Sequence, residues 1–246
     1  MPQAVVGVSA SERAGTRAPL WGLLVALSLL ALAMAVPVVT GWDVRVRWFP
    51  PLHAQWRPRV GPGTALAVVV AALGAWQGAA LAGRLPWRWL LPVTWVCGLG
   101  WMLPLALVDG EAGIARILDH EYEYLGTART TTDFRATLEE YVDRIPYAHP
   151  DNWPVHIAGH PPGALLFFVG LVRVGLGSGL TAGLVVTAVA ATTPLAVLVT
   201  ARALDAERAA RTALPFLVLG PVAVWQAVSA DAMFAAVAAW GIATLA

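Results

Sequence analysis

Charged side chains are scarce in this sequence, making up 13% of its 246 residues, whereas a soluble domain carries about 25%. Hydrophobic residues make up 58%, and the mean hydropathy is +0.67. Apolar helices buried in a large soluble core are the alternative, but 246 residues cannot cover several such helices on every face. The composition therefore predicts an integral membrane protein and excludes a soluble enzyme.

Cysteine and the common nucleotide-binding motifs are also lacking. The lone cysteine, Cys97, lies inside an apolar run, which excludes an intrachain disulfide. The net charge is +1, so no global field would attract nucleic acid, and no nucleic acid partner is expected. No Walker, Rossmann or Gly-x-Ser-x-Gly pattern occurs, so the enzyme classes that carry those motifs have no support here.

Long uncharged apolar runs occupy much of the chain. They cover residues 18–42, 60–83, 89–108, 174–201 and 212–230, and each has roughly the 20 residues that cross a bilayer. We therefore predict an all-α, multi-pass transmembrane helix bundle of about six to seven helices, with an outer segment of amphipathic helices. Residues 1–88 would form two N-terminal spans and residues 89–246 a membrane core. That core is expected to continue beyond residue 246, because the sequence stops inside an apolar run.

The first apolar run has two interpretations. Arg13 and Arg17 precede it, as in a signal peptide, but it is longer than the 7 to 15 apolar residues of a secretory h-region. We interpret it as a retained helix whose basic flank stays in the cytoplasm. The protein would then be a multi-pass plasma-membrane protein with a cytoplasmic N-terminus.

The topology that follows places residues 109–160 outside the cytoplasm. Arg84 and Arg88 mark the next inner turn, in agreement with the excess of basic residues in cytoplasmic loops. The segment 42–59 counts against this orientation, because it carries four arginines on the predicted outer side.

Polar chemistry is concentrated in residues 109–160, which hold 10 of the 15 acidic residues and four of the five histidines. Apolar residues recur there at helical spacing from Ile114 to Leu125 and from Phe134 to Val142, the second stretch following Thr132 and Asp133 as candidate N-caps. Two short amphipathic helices lying along the membrane surface are predicted.

The apolar stretch after this segment allows two topologies. Pro161 to Val172 gives 12 uncharged residues before Arg173, which is short for a span. If the stretch dips and returns, the loop around Arg202 is cytoplasmic and Asp231 is outside. If it crosses fully, both positions are reversed.

Two groups of residues could carry chemistry. Asp109 and Glu111 follow the third apolar run directly, where a poorly solvated carboxylate can act as a base or hold a metal, although solvated acids also simply end helices. His156 and His160 are four residues apart and could share a metal, or serve as interfacial hydrogen-bonding groups. Pro161 makes a continuous helix through His160 unfavourable.

These features together resemble the GT-C superfamily of glycosyltransferases, which use polyprenyl-phosphate-linked sugars. The resemblance rests on a helix that ends in acidic residues, a polar outer segment, and His160-Pro161-Pro162-Gly163 opening an apolar helix. Residues 200–231, with an arginine turn, an apolar stretch and Asp231, are also similar to the family. The resemblance covers roughly residues 89–246.

The resemblance implies a membrane enzyme that moves a sugar from a polyprenyl-phosphate donor to an acceptor at the outer face. It makes Asp109 the catalytic carboxylate with Glu111 as its neighbour, and it implies donor binding by His160, His156 and Asp231. A divalent metal is an optional cofactor in that family. The partners would be the lipid-linked sugar and the bilayer, and the alternatives are a transporter or a noncatalytic envelope protein.

Overall fold

The computed structural model describes residues 10–41 and 59–246, with side chains from residue 20 onward. The chain divides into two units, Met1–Pro58 and Arg59–Ala246. The predicted outer segment 42–59, apart from Arg59, lies outside the described residues, and so do the side chains of Arg13 and Arg17.

The first unit contains one described helix, α1 (Ala10–Thr40). Its part from Leu20 to Thr40 is long and apolar enough to cross a membrane, and none of that stretch is buried inside the protein. A helix that is apolar on all sides fits a lipid environment.

The second unit consists of short and long helices joined by turns. Its helices are α2 (Thr64–Arg84), α3 (Trp87–Ala106), α4 (Ala112–Ala115), α5 (Tyr124–Thr130), α6 (Phe134–Glu139), α7 (Val155–Ala158), α8 (Pro162–Arg173), α9 (Gly179–Ala190), α10 (Thr193–Ala203), α11 (Glu207–Val218), α12 (Ala223–Gln226) and α13 (Ala230–Ala243). A 3-10 turn, Leu107–Asp109, follows α3.

The described residues contain helices and no strand. Four helical stretches are long and apolar enough to span a bilayer: Leu20–Thr40, Thr64–Arg84, Trp87–Asp109 and Gly179–Ala203. The predicted all-α membrane bundle is thereby confirmed. Helix α2 packs against α3 and α11. The compact unit Arg59–Ala246 therefore includes residues that lie before the predicted domain boundary at residue 88.

Helices α2 and α3 form an antiparallel pair with a close approach at its open end. The amide of Gly63 donates to the carbonyl of Leu107 at 3.1 Å. A Cβ at Gly61 would lie 1.8 Å from the carbonyl oxygen of Val108. Only glycine allows the chain entering α2 to pass this close to the end of α3.

Helices α9 and α10 together run from the acidic segment to the opposite end of the unit. The start of α9 touches α4, since a Cβ on Gly179 would meet the carbonyl oxygen of Ala115 at 1.9 Å. At the far end, the Arg202 guanidinium lies 4.2 Å from the centre of the Trp87 ring. We call residues 84–88 and 202–211 the arginine end, and residues 109–160 with residue 231 the polar end.

Arg211 ties α11 into the arginine end. Its guanidinium donates to the carbonyls of Ala82 and Leu85 at 2.7 and 2.9 Å, and it pairs with Glu207 at 2.7 Å. These bonds satisfy carbonyls at the last turn of α2 that lack a partner within the helix.

The apolar run 212–230 departs from the single helix that its length predicts. Helix α11 ends at Val218, and α12 is a short turn from Ala223 to Gln226. Gly220 and Pro221 lie between them, and proline removes a backbone donor and cannot continue a helix from the preceding residue.

The acidic segment folds onto protein. Ile114, Leu118 and Leu125 are buried in the main apolar core, together with residues of α8, α9 and α13. The predicted helix across 114–125 is broken by turns from residue 116 to 123, whereas α6 begins after Asp133, whose carboxylate caps Arg135 and Ala136 as predicted.

Helix α8 has both ends at the polar end. Its start lies beside α5, where His160 contacts Tyr124 at 2.8 Å. At its last residue, Arg173 donates to the carbonyl of Thr132 at 2.8 Å. The helix is about 18 Å long at 1.5 Å per residue and runs alongside α5.

Candidate functional site

Four titratable side chains from separate parts of the chain meet at the polar end. Glu123 pairs with His156, and Asp231 pairs with His160. Tyr124 lies between them and hydrogen-bonds to His160. We call these five residues the histidine cluster. Three of them, His156, His160 and Asp231, are residues that the sequence predicted for donor binding.

The backbone around His160 is set by its neighbours in sequence. Helix α7 ends at Ala158, and Gly159 follows in a helical conformation. Pro161 is extended and Pro162 occupies the first turn of α8. Because a residue before proline avoids the helical region, His160 leaves the helix and presents its ring between α7 and α8. The predicted break in the helix at this residue is confirmed.

Tyr141 holds the same turn from the other side. Its hydroxyl donates to the carbonyls of Ile157 and His160 at 2.7 and 3.0 Å, and Trp153 donates to the Tyr141 carbonyl at 2.8 Å. Tyr141 is buried, and burial raises the pKa of its hydroxyl. It therefore remains a neutral donor that fixes the turn carrying His160.

Hydrogen bonds select the protonated nitrogen of His160. Its Nδ1 lies 2.7 Å from the carbonyl oxygen of His156 and 2.8 Å from the Tyr124 hydroxyl. A carbonyl can only accept, so Nδ1 carries a proton. The Tyr124 hydroxyl also donates to the His156 carbonyl at 3.3 Å, which leaves its oxygen free to accept from His160.

The other nitrogen of His160 faces Asp231. The distance from Nε2 to Oδ1 of Asp231 is 3.4 Å. With Nδ1 already protonated, this contact is a charged pair when Nε2 is protonated too. The His160 and Asp231 side chains are 32% and 74% exposed, so this pair lies at the surface of the polar end.

Asp231 is brought to His160 by the turn before α13. Val228 has a positive φ of 62°, and its amide donates to the Thr187 hydroxyl at 3.2 Å. Ser229 then caps α13 through the amide of Asp231. A carboxylate in the first turn of a helix is stabilised by the helix dipole.

The second pair is more enclosed. Nδ1 of His156 lies 3.0 Å from Oε1 of Glu123, whose side chain is 15% exposed. Oε2 of Glu123 is buried and has no hydrogen-bond partner in the described part of the chain. Burial raises the pKa of Glu123, an effect that His156 opposes and the negative charge of Asp231 reinforces.

Aromatic rings form the apolar wall of the cluster. Tyr124 is fully buried and stacks on Phe168 of α8 with ring centres 4.8 Å apart. Phe234 of α13 lies 5.2 Å from the His160 ring. Burial, followed by the charges of Glu123 and Asp231, raises the pKa of Tyr124 far above its ordinary value, so its hydroxyl stays protonated.

Asp109 and Glu111 lie apart from these contacts. Asp109 is 44% exposed and forms an ion pair with Arg59. Glu111 is the exposed first residue before α4. Neither makes a contact with the histidine cluster among the interactions of the described residues, so the catalytic role of Asp109 stays a prediction.

Metal binding finds little support in the geometry. His156 and His160 each pair with a different carboxylate, Glu123 and Asp231. In residues 10–41 and 59–246, no group of three or more His, Cys, Asp or Glu side chains is arranged to hold a metal ion.

Sequence reasoning missed Glu123 and the contact between Tyr124 and His160. Glu121 and Glu123 are equivalent in spacing and composition, and what separates them is burial, since Glu121 is exposed. Their importance comes from contacts with residues more than 30 positions away, which no local pattern encodes.

Comparisons with protein-family models, with curated proteins and with solved structures find no match for this chain. The fold and the cluster therefore supply the structural argument about function. Chemically, the cluster offers two imidazoles, each paired with a carboxylate, next to an apolar wall at one end of the apolar helices. Such groups can exchange protons with hydroxyls and bind an anionic group.

Proposed function

We propose that this chain belongs to a membrane glycosyltransferase that moves a sugar from a polyprenyl-phosphate donor to an acceptor hydroxyl at the outer face of the membrane. The single observation that carries the proposal is the histidine cluster, in which His160 and its carboxylate partner meet a second histidine–carboxylate pair at the polar end. The His-Pro-Pro-Gly resemblance supplies the reaction class.

In this proposal the donor phosphate binds at the exposed side of His160. A protonated imidazole attracts a phosphate, and Asp231 orients the ring from the same side. His156 shapes the neighbouring surface. Phe234, which is partly exposed beside the His160 ring, provides an apolar surface for the first part of the lipid.

The acceptor hydroxyl needs a carboxylate that takes its proton as the new bond forms. The resemblance implies Asp109 for this role, supported by Glu111. A divalent metal is optional in such enzymes, and no step of the proposal requires one.

A transporter is the second candidate, and the placement of polar groups disfavours it. Transporters keep their polar groups near the middle of the membrane. Arg173, the charge that the sequence could have placed there, instead reaches Thr132 at the polar end and lies 3.8 Å from the centre of the Phe134 ring. A noncatalytic envelope protein would have no use for an enclosed acid with an unpartnered oxygen.

The experiment that tests the proposal separates transfer from transport. The full gene product is reconstituted in vesicles with tritiated polyprenyl-phosphate hexoses and pentoses and a membrane lipid extract as acceptor. The proposal predicts loss of label from the donor and its covalent appearance on acceptor. Movement of intact label across the vesicle membrane, with the donor bond unbroken, supports the transporter instead.

A further inference from the structure

We infer that Glu123 is the proton-accepting carboxylate of this site and that His156 positions it. The inference rests on the proposed transferase function and deepens it by naming the general base. It stands on the enclosure of Glu123, on its contact with His156, and on its second oxygen, which is buried and has no hydrogen-bond partner among the described residues.

Glu123 differs from every other acidic residue of the segment 109–160 in its burial. The other nine acids are exposed, and several are neutralised locally, as Asp119 is by Arg129 at 2.6 Å and Glu139 by Arg135 at 2.7 Å. Glu123 has no arginine partner among the described residues. An acid withdrawn from water and unmatched by a fixed cation is the one best suited to gain a proton during a reaction.

The two oxygens of Glu123 have different environments. Oε1 lies 3.0 Å from Nδ1 of His156, with which the carboxylate forms an ion-pair contact. Oε2 is buried without a partner in the described part of the chain. A buried carboxylate oxygen that lacks a donor is costly in a folded protein, and a substrate hydroxyl supplies the missing donor.

The charges that face Glu123 come from every element packed around it. His120 lies on its own loop, His156 on α7, His160 between α7 and α8, and Asp231 on α13, and all four affect its ionisation. The histidines favour the carboxylate, while burial and Asp231 favour the neutral acid. This balance raises the pKa of Glu123, which strengthens it as a base near neutral pH.

The chemical step balances without a further reactant. The acceptor oxygen forms a bond to the anomeric carbon of the sugar as its proton moves to Oε2 of Glu123. The bond between that carbon and the phosphate oxygen breaks, and the electron pair leaves with the lipid phosphate. The His160 ring, where the donor phosphate binds, holds the departing anion.

The test compares Glu123→Gln with Glu121→Gln and Glu123→Asp in the full gene product. Glu123→Gln keeps the size and one acceptor oxygen, so we expect normal detergent extraction and gel filtration, but a loss of about 100-fold or more in kcat. Glu121→Gln should match wild type. Glu123→Asp should restore part of the rate, which a purely structural role for Glu123 would not require.

The pH profile gives the sharper evidence. A general base must be deprotonated, so the wild-type rate rises with pH through the pKa of Glu123, at a higher pH than an ordinary carboxyl group. In Glu123→Gln the residual rate should lose this rise. Wild-type transfer together with an unchanged rate or profile in Glu123→Gln overturns the inference alone, whereas absence of wild-type transfer overturns the proposed function and the inference with it.

Carbodiimide modification tests the same acid without turnover and without a variant. Dicyclohexylcarbodiimide reacts with protonated carboxyl groups in apolar surroundings. Mass spectrometry at neutral pH should show modification at Glu123 well above that at Glu121, decreasing as the pH rises. Equal modification of the two residues contradicts the inference.

Discussion

His160 receives its orientation from residues that are distant in sequence. The carbonyl of His156 and the hydroxyl of Tyr124 both contact its Nδ1, and Tyr141 fixes the backbone beneath it. These contacts leave Nε2 as the nitrogen that meets Asp231. A ring held in one tautomer presents one defined nitrogen to a ligand, which is the condition for specific binding of a phosphate or hydroxyl.

Asp109 is the residue at which the resemblance and the geometry lead to different expectations. Loss of a general base lowers the transfer rate roughly 100-fold or more. The resemblance alone would imply a loss of this size for Asp109→Asn. Because Asp109 pairs with Arg59 at an exposed position, we instead expect a rate within about tenfold of wild type, far from that loss. Transfer rates at matched protein level decide this, with Glu121→Gln as the control.

The stability of Asp109→Asn should change little, since an exposed ion pair contributes about 0 to 1 kcal/mol. Thermal inactivation of the extracted protein measures this. A loss of 100-fold or more in transfer with unchanged stability would return the base role to Asp109 and contradict the assignment to Glu123.

At the scale of elements, α4 and α9 pack so closely that the contact excludes a side chain. A Cβ on Gly179 would lie 1.9 Å from the carbonyl oxygen of Ala115. We expect Gly179→Ala to destabilise the protein by more than about 1 kcal/mol, although alanine is the better helix former by a similar amount. Gly170→Ala in α8, where a Cβ meets nothing within 4 Å, is the matched control and should be neutral or stabilising. Equal thermal midpoints for the two variants would show that the contact is looser than described.

The second prediction at this scale concerns the membrane topology of the chain after helix α8. Both ends of this helix contact the polar end, through Tyr124 and Thr132, so we expect α9 and α10 to provide the next crossing. A reporter fused after Leu204 should therefore give a cytoplasmic signal, as the basic residues of that loop also favour. A periplasmic signal would mean that α8 crosses and would separate Asp231 from the outer face.

The sequence predicted the elements better than their contacts. Apolar runs identify the spans because the bilayer has a fixed thickness, and the Pro161-Pro162 pair identifies the break at His160 through local sterics. The family resemblance also led to the prediction of His160 and Asp231 as donor-binding residues. The enclosure of Glu123 and the role of Tyr124 depend on how α5, α7, α8 and α13 pack, and residues so far apart in sequence leave no local pattern.

At the scale of the whole molecule, the two ends of the second unit differ in charge. The arginine end carries five arginines and two acids, whereas residues 109–160 hold ten acids. Contacts keep these groups at opposite ends, as Arg211 binds the last turn of α2 while Asp231 meets His160. In a membrane this asymmetry favours the arginine end in the cytoplasm.

This orientation predicts the accessibility of Thr130, which is exposed at the polar end. Thr130→Cys in a Cys97→Ser background should react with a membrane-impermeant thiol reagent in intact cells. Labelling of Arg208→Cys at the arginine end should require lysis. The reverse pattern would place the histidine cluster in the cytoplasm and remove the argument for an outer-face donor.

The central claim is that the histidine cluster is the site of sugar transfer. It is tested most directly by the rate of transfer from tritiated polyprenyl-phosphate sugars with His160→Gln and His149→Gln in the full gene product. His149 contacts its own loop, where its Nδ1 accepts from the amide of Asp151 at 3.1 Å. The account predicts a loss of about 100-fold or more for His160→Gln and a wild-type rate for His149→Gln, and equal rates for the two variants would contradict it.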